Sequence, residues 1–159
     1  MARSDELPPG VEIVGWDSFE TFAEYQQAIA AYQTEYDAIG LLGVFGLLDE
    51  AGDAVPFEDV LRWTTEHSTL PDFSFWDSRL PLGTLCAVTV SGYEQGLAAG
   101  KLAHQILVDG VVPGSLPITA TVRGKPTVSL ARANELGISI DSSLLLSANV
   151  ITDYVWHNE

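Results

Sequence analysis

Short apolar runs bounded by Gly and Pro alternate along this chain with longer stretches of helical periodicity. The first run, Val11–Trp16, has the β-branched content of a strand. Asp17 with Glu20 three residues on forms a capping-box pattern, and Phe22, Ile29 and Tyr36 recur at seven-residue intervals, with Tyr25 and Tyr32 beside them. This predicts a helix over about 18–36. Ala38–Val44 is continuously apolar and short, as in a buried strand of a parallel sheet. Asp49–Asp53 reads as a loop, and Pro56 suits the start of a helix ending near His67. Pro71–Phe75 and Leu85–Val90 are further strands. The link between them, Trp76–Gly83, leaves room for one helical turn at most.

A third helix is expected at about 93–109. Leu97, Leu102 and Ile106 mark its inner side, and Gly96 and Gly100 would let it approach the sheet closely. Ile118–Val122 and Thr127–Leu130 flank a Gly124-Lys125 turn. Ser129 can cap a short helix ended by Gly137, and Asp141 a last one through Asn149. Alternating strands and helices argue for an α/β three-layer sandwich with a mostly parallel sheet. Ligands in such sheets sit beyond the carboxyl ends of the strands, which singles out Trp16–Ser18, Phe45–Leu47, Trp76–Arg79 and Ser91–Gln95.

Composition and charge narrow the partners. With 159 residues the chain reads as residues 1–10 of tail and one lobe over 11–159, and 47% hydrophobic residues with four Trp supply a core. The net charge is −15, and it is uneven. Sixteen acids and two bases lie in Met1–Ser78, six acids and five bases in Arg79–Glu159. Such a surface repels nucleic acid and anionic lipid. Residues 1–10 lack the apolar core of a signal peptide, which fits a cytoplasmic protein, a mature form or a piece of a longer chain.

Candidate chemistry is sparse. His67, His104 and His157 stand apart, without the spacing of a metal site, and Asp49–Asp53 lacks the residue order of a calcium loop. No metal and no cofactor is expected. Gly40, Gly43 and Gly46 lack the Lys and Ser/Thr of a phosphate loop, and read as close backbone packing. Cys86, in an apolar run with no His near in sequence, reads as an inert thiol. No nucleophile–base pair suggests an enzyme.

Two features remain. Phe73, Phe75 and Trp76 precede Asp77, an aromatic wall beside a carboxylate that suits an amine-bearing small molecule as well as it suits core and helix cap. Ser91, Tyr93 and Glu94 open a helix whose free N–H groups can hold an anion or a carboxylate, while Ser91 reads equally as a plain N-cap. The candidate ligand-binding residues are therefore Phe45, Trp76, Asp77, Ser91, Tyr93 and Glu94.

The last third carries a resemblance. Gly83-Thr84 enters a strand, Tyr93-Glu94-Gln95-Gly96 opens a helix, and Ile106-Leu107, Gly110 and Pro113 close it. Ser129, Leu130, Ala133, Leu136, Gly137, Ile138 and Ile140 then follow in register with a closing signature. This order resembles the solute-binding proteins of ABC transporters that have the type I periplasmic-binding fold. Ser129, Arg132 and Asp141 depart from the signature, where the family has Asn, Thr and Pro. Members are about twice this long and close two lobes on a solute, and this chain resembles the second lobe and C-terminal segment.

The resemblance implies a binding lobe for an amino acid or similar solute, an ABC permease or a first lobe as partner, and an extracytoplasmic, periplasmic or lipid-anchored location. The alternative on the same fold is a ligand-sensing domain of a signalling protein or transcription regulator. A sheet edge and a cleft face without their partner lobe are expected to self-associate, most simply as a two-fold dimer.

Overall fold

A computed structural model describes residues 9–118 and 124–157. Five strands form one sheet in chain order: β1 (Ile39–Gly40), β2 (Asp72–Ser74), β3 (Cys86–Thr89), β4 (Lys125–Ser129) and β5 (Asn149–Ile151). β1, β2 and β3 run parallel, β4 turns back antiparallel to β3, and β5 runs parallel to β4. The helices are α1 (Phe22–Glu35), α2 (Phe57–His67), α3 (Gly92–Leu107), α4 (Leu130–Glu135) and α5 (Ser142–Ser147). The fold class is the expected one, α/β with a mostly parallel sheet and helices between its strands.

The core lies where α1 and α2 meet β1. Tyr25 and Ile29 of α1, Val60 and Leu61 of α2, Ile39, Leu41, Val44, Leu47 and Leu70 form one buried cluster. The Tyr25 hydroxyl pairs with Thr64 Oγ1 at 2.6 Å, so its polar end is satisfied inside that cluster. The strand register divides the sheet into two faces. Asp72, Ser74, Ala87, Thr127 and Ser129 share the buried face. On the other, Phe73, Val88 and Val150 stay substantially exposed.

The structure corrects several sequence expectations. Val11–Trp16 forms no strand. Val11, Ile13, Val14 and Trp16 are exposed, because no neighbouring strand offers them a ladder. The helix expected from residue 18 begins four residues later. Thr21, not Asp17, is its N-cap, with Glu24 completing the capping box, while Asp17 accepts a hydrogen bond from the Tyr32 hydroxyl. The apolar run 38–44 yields only the two-residue β1, and Leu41 and Val44 are buried beyond it. Gly40 packs as expected, since a Cβ there would meet the Phe73 ring at 2.8 Å, but Gly43 has nothing near it.

Later elements differ too. The link after β2 is a longer 3-10 helix, Asp77–Leu82, ended by Gly83 at φ 102°. A Cβ on Gly83 would also strike Thr65 Oγ1 at 1.8 Å, so only glycine fits. No residue of α3 is buried; Leu97 and Leu102 are exposed, and nothing lies within 4 Å of a Cβ placed on Gly96 or Gly100. Of the strand expected at Ile118–Val122, residues 119–122 fall outside the described set, and Ile118 is exposed. Ser129 and Asp141 cap α4 and α5 as read from sequence, and Gly137 takes a positive φ of 67°. The helix capped by Asp141 stops at Ser147, and Asn149 opens β5 instead.

Candidate functional site

Because β1, β2 and β3 are parallel, their carboxyl ends share one rim of the sheet, where open α/β sheets bind ligands. The segment after β1 delivers Phe45, followed by Gly46 at φ 74°. The segment after β2 delivers Phe75, Trp76 and Asp77, and that after β3 delivers Ser91, Tyr93 and Glu94. Topology thus sets all six candidate residues on this rim. Trp16–Ser18 follows no strand and drops out.

Contacts tie together only part of the set. The Phe45 and Trp76 rings both lie against the Arg79 guanidinium, at 5.0 and 4.3 Å from ring centroid to Cζ. Each ring is about half exposed, and Phe45 also packs against Phe57 at 5.2 Å between centroids. Asp77 is exposed at the first position of the 3-10 helix. Ser91 caps α3 by accepting from the Glu94 amide, while Tyr93 and Glu94 point to solvent. No hydrogen bond or ring contact joins Ser91, Tyr93 or Glu94 to the Phe45–Trp76–Arg79 group.

Arg79 itself was no candidate in the sequence, where it served only as a loop boundary. It is 1% exposed and donates through Nη1 to the Leu41 carbonyl at 2.8 Å and to Ser74 Oγ at 3.3 Å. One signal could have found it: it is the only base in the aromatic-rich stretch 73–79.

A second polar centre sits at the opposite end of the sheet. Arg132 donates to Asp72 at 3.4 Å and to the carbonyls of Thr65 and Ser68 at 2.8 and 2.9 Å. Burial pushes the Asp72 carboxyl up to about 6, against the opposing pull of Arg132. An open groove of about 510 Å³ lies here, lined by Thr65, Ser68, Arg132, Glu135, Tyr154 and Trp156 among others. Every nitrogen of Arg132 is engaged within the chain, so its role there is to join α2, β2 and α4. Cys86 donates weakly to the Asp72 carbonyl, and burial raises its thiol pKa, as fits an inert thiol. Among the described residues no three His, Cys, Asp or Glu side chains converge as a metal site, and no helix is long and apolar enough to cross a membrane.

No family model matches this chain, and no curated protein matches it. Solved structures do. The ABC domain from Streptococcus pneumonia in complex with L-Trp is similar over 83% of this chain, with 24% identity and a TM-score of 0.58. A conserved domain protein from Vibrio cholerae gives 21% identity and 0.56 over the same share. CD0873, a substrate binding protein with adhesive properties from Clostridium difficile in its ligand-free, open form, gives 16% and 0.59 over 82%. This chain spans 42%, 42% and 41% of those three chains, about two-fifths of each. The likeness is one of fold, and the resemblance to solute-binding proteins holds at that level: the chain has the fold of a single periplasmic-binding-protein-like lobe.

Proposed function

We propose that this chain is a solute-binding lobe of an ABC uptake system, taking an amino acid or similar small molecule at the carboxyl rim of its sheet. The observation that carries the reading is the pair of half-exposed rings, Phe45 and Trp76, gathered about Arg79 at the ends of β1 and β2. Aromatic surface beside a few polar groups is what a small-molecule site needs. Asp77 would receive an ammonium, and Ser91, Tyr93 and Glu94 line the neighbouring strand end. The L-Trp held by the Streptococcus pneumonia neighbour supports an amino acid as the first solute to try.

On this reading residues 11–159 form one lobe, and a complementary lobe and a permease are its partners, outside the cytoplasm. The exposed leucines of α3 and the exposed face carrying Phe73 and Val88 are surfaces that such a lobe would cover. Half a cleft buries less of a solute, so binding by this chain alone is weak, about 0.1–1 mM. Calorimetric titration with L-tryptophan, L-leucine and a sugar control tests it. Saturable heat with an amino acid and none with the sugar is expected. No saturation by either amino acid at ten times that range would overturn the reading.

A further inference from the structure

The two buried arginines of this fold differ in one respect. Arg132 has an acceptor for each of its three nitrogens and a carboxylate among them. Arg79, just as buried, forms no ion pair with any carboxylate among the described residues, and its Nη2 is buried with no hydrogen-bond partner. A guanidinium keeps its charge at any working pH, and leaving one inside a protein without an acceptor is costly. Burial accordingly presses the Arg79 pKa downward.

Position tells what acceptor fits. Arg79 belongs to the segment following the carboxyl end of β2, and Ser74 and Leu41 hold one side of its fork in place. What covers it at the rim is two half-exposed rings on loop segments rather than packed core. Displacing one ring would present a fixed, unfilled guanidinium to a ligand whose own apolar group can take that ring's place. The planar fork matches a carboxylate.

We propose that Arg79 is the anchor for the carboxylate of an apolar, most naturally aromatic, amino acid, with Phe45 and Trp76 as the cap that parts to admit it. Asp77, two residues away on the same 3-10 helix, then faces the ammonium end of the same zwitterion. The proposal rests on the solute-binding reading and adds the chemical class of the solute and the residue that selects it.

The experiment titrates the 159-residue chain with L-tryptophan, indole-3-propionate, which keeps the carboxylate and lacks the amine, and tryptamine, which keeps the amine and lacks the carboxylate. The wild type is expected to bind the first two and to bind tryptamine about tenfold or more weakly. Arg79→Gln is expected to remove that preference, bringing L-tryptophan down to the tryptamine level while leaving tryptamine unchanged. Arg79→Lys, which retains the charge and loses the fork, should fall between. The wild-type panel stands even if Arg79→Gln does not fold. Equal binding of all three ligands overturns the anchor and leaves solute binding intact. A preference that survives in a folded Arg79→Gln overturns it as well. Binding of none of the three overturns this proposal, and the solute reading falls with it only if L-leucine also fails to bind.

Discussion

The α1–α2 half of the molecule and the α3 excursion are built from similar sequence patterns and end in opposite states. In the first, apolar positions at helical spacing meet a surface: Val60 is 0% and Leu61 1% exposed. In the second, Leu97, Leu102 and Ile106 follow a comparable spacing and Ser91 caps the helix properly, yet Leu97 is 49% exposed and nothing in α3 is buried. Periodicity therefore announces which face of a helix prefers an apolar neighbour. It does not announce that the neighbour lies in the same chain. Caps and propensity form α3, whereas packing secures α1 and α2.

The largest way to break this contrast is to attack the buried half. Arg132→Ala leaves Asp72 buried without its cation and strips the Thr65 and Ser68 carbonyls of donors, so it should cost about 3–5 kcal/mol in denaturant unfolding. A loss under about 1 kcal/mol would show that the pair holds nothing together. Leu61→Ala opens the core cluster and should cost about 2–5 kcal/mol by the same measurement.

Asp72 sharpens the picture through pH. Its carboxyl titrates near 6 in the folded chain and at an ordinary 3.8 once unfolded. Below about pH 4 both states hold the proton, and the group contributes nothing to the slope. Between about 4 and 6 the unfolded state releases it first and binds fewer protons, so this group lowers stability as pH rises. Above about 6 the loss is complete, at up to about 3 kcal/mol. Wild type measured against Asp72→Asn isolates the effect, because the amide does not titrate there. A difference that stays flat or grows more favourable from pH 4 to 6 would contradict the assignment.

At the rim, Asp77→Ala should weaken amino-acid binding by about tenfold and leave the fold unchanged, since Asp77 is exposed and makes no contact in the core. Unaltered affinity in a folded variant would remove Asp77 from the site.

How much of this was legible depended on whether a residue's partner was local. Ser129 and Asp141, two departures from the solute-binding signature, were readable as caps because a cap bonds to residues two or three positions on. The third departure, Arg132, was opaque. Its partners Asp72, Thr65 and Ser68 lie 60 to 67 residues away and meet it only in the fold. Arg79 was missed for the same reason, since Leu41 is 38 residues distant. The rim loops were readable, because a parallel sheet places the carboxyl ends of neighbouring strands together whatever their sequence. Val11–Trp16 misled because β-branched content fits a strand but does not supply one to pair with.

The smallest expected effect is the sharpest test of the contrast. Replacing both Leu97 and Leu102 by Ser, in the middle of α3, should change the unfolding free energy of the isolated chain by no more than about 1 kcal/mol, twice the usual range for one exposed position. The same pair in a packed helix would cost several times as much. If the stripe is an interface in waiting, the substitution acts instead on association. A second copy is the partner that a pure solution offers, and the −15 charge opposes it. Added salt should therefore promote dimer in the wild type, by screening repulsion, and do so less in the double variant. Light scattering across a salt series reads this directly. A double variant that dimerises like the wild type would assign self-association to another surface, such as the exposed sheet face with Phe73 and Val88. A double variant destabilised by about 2 kcal/mol or more would instead show that α3 packs within its own chain and that the two halves are alike after all.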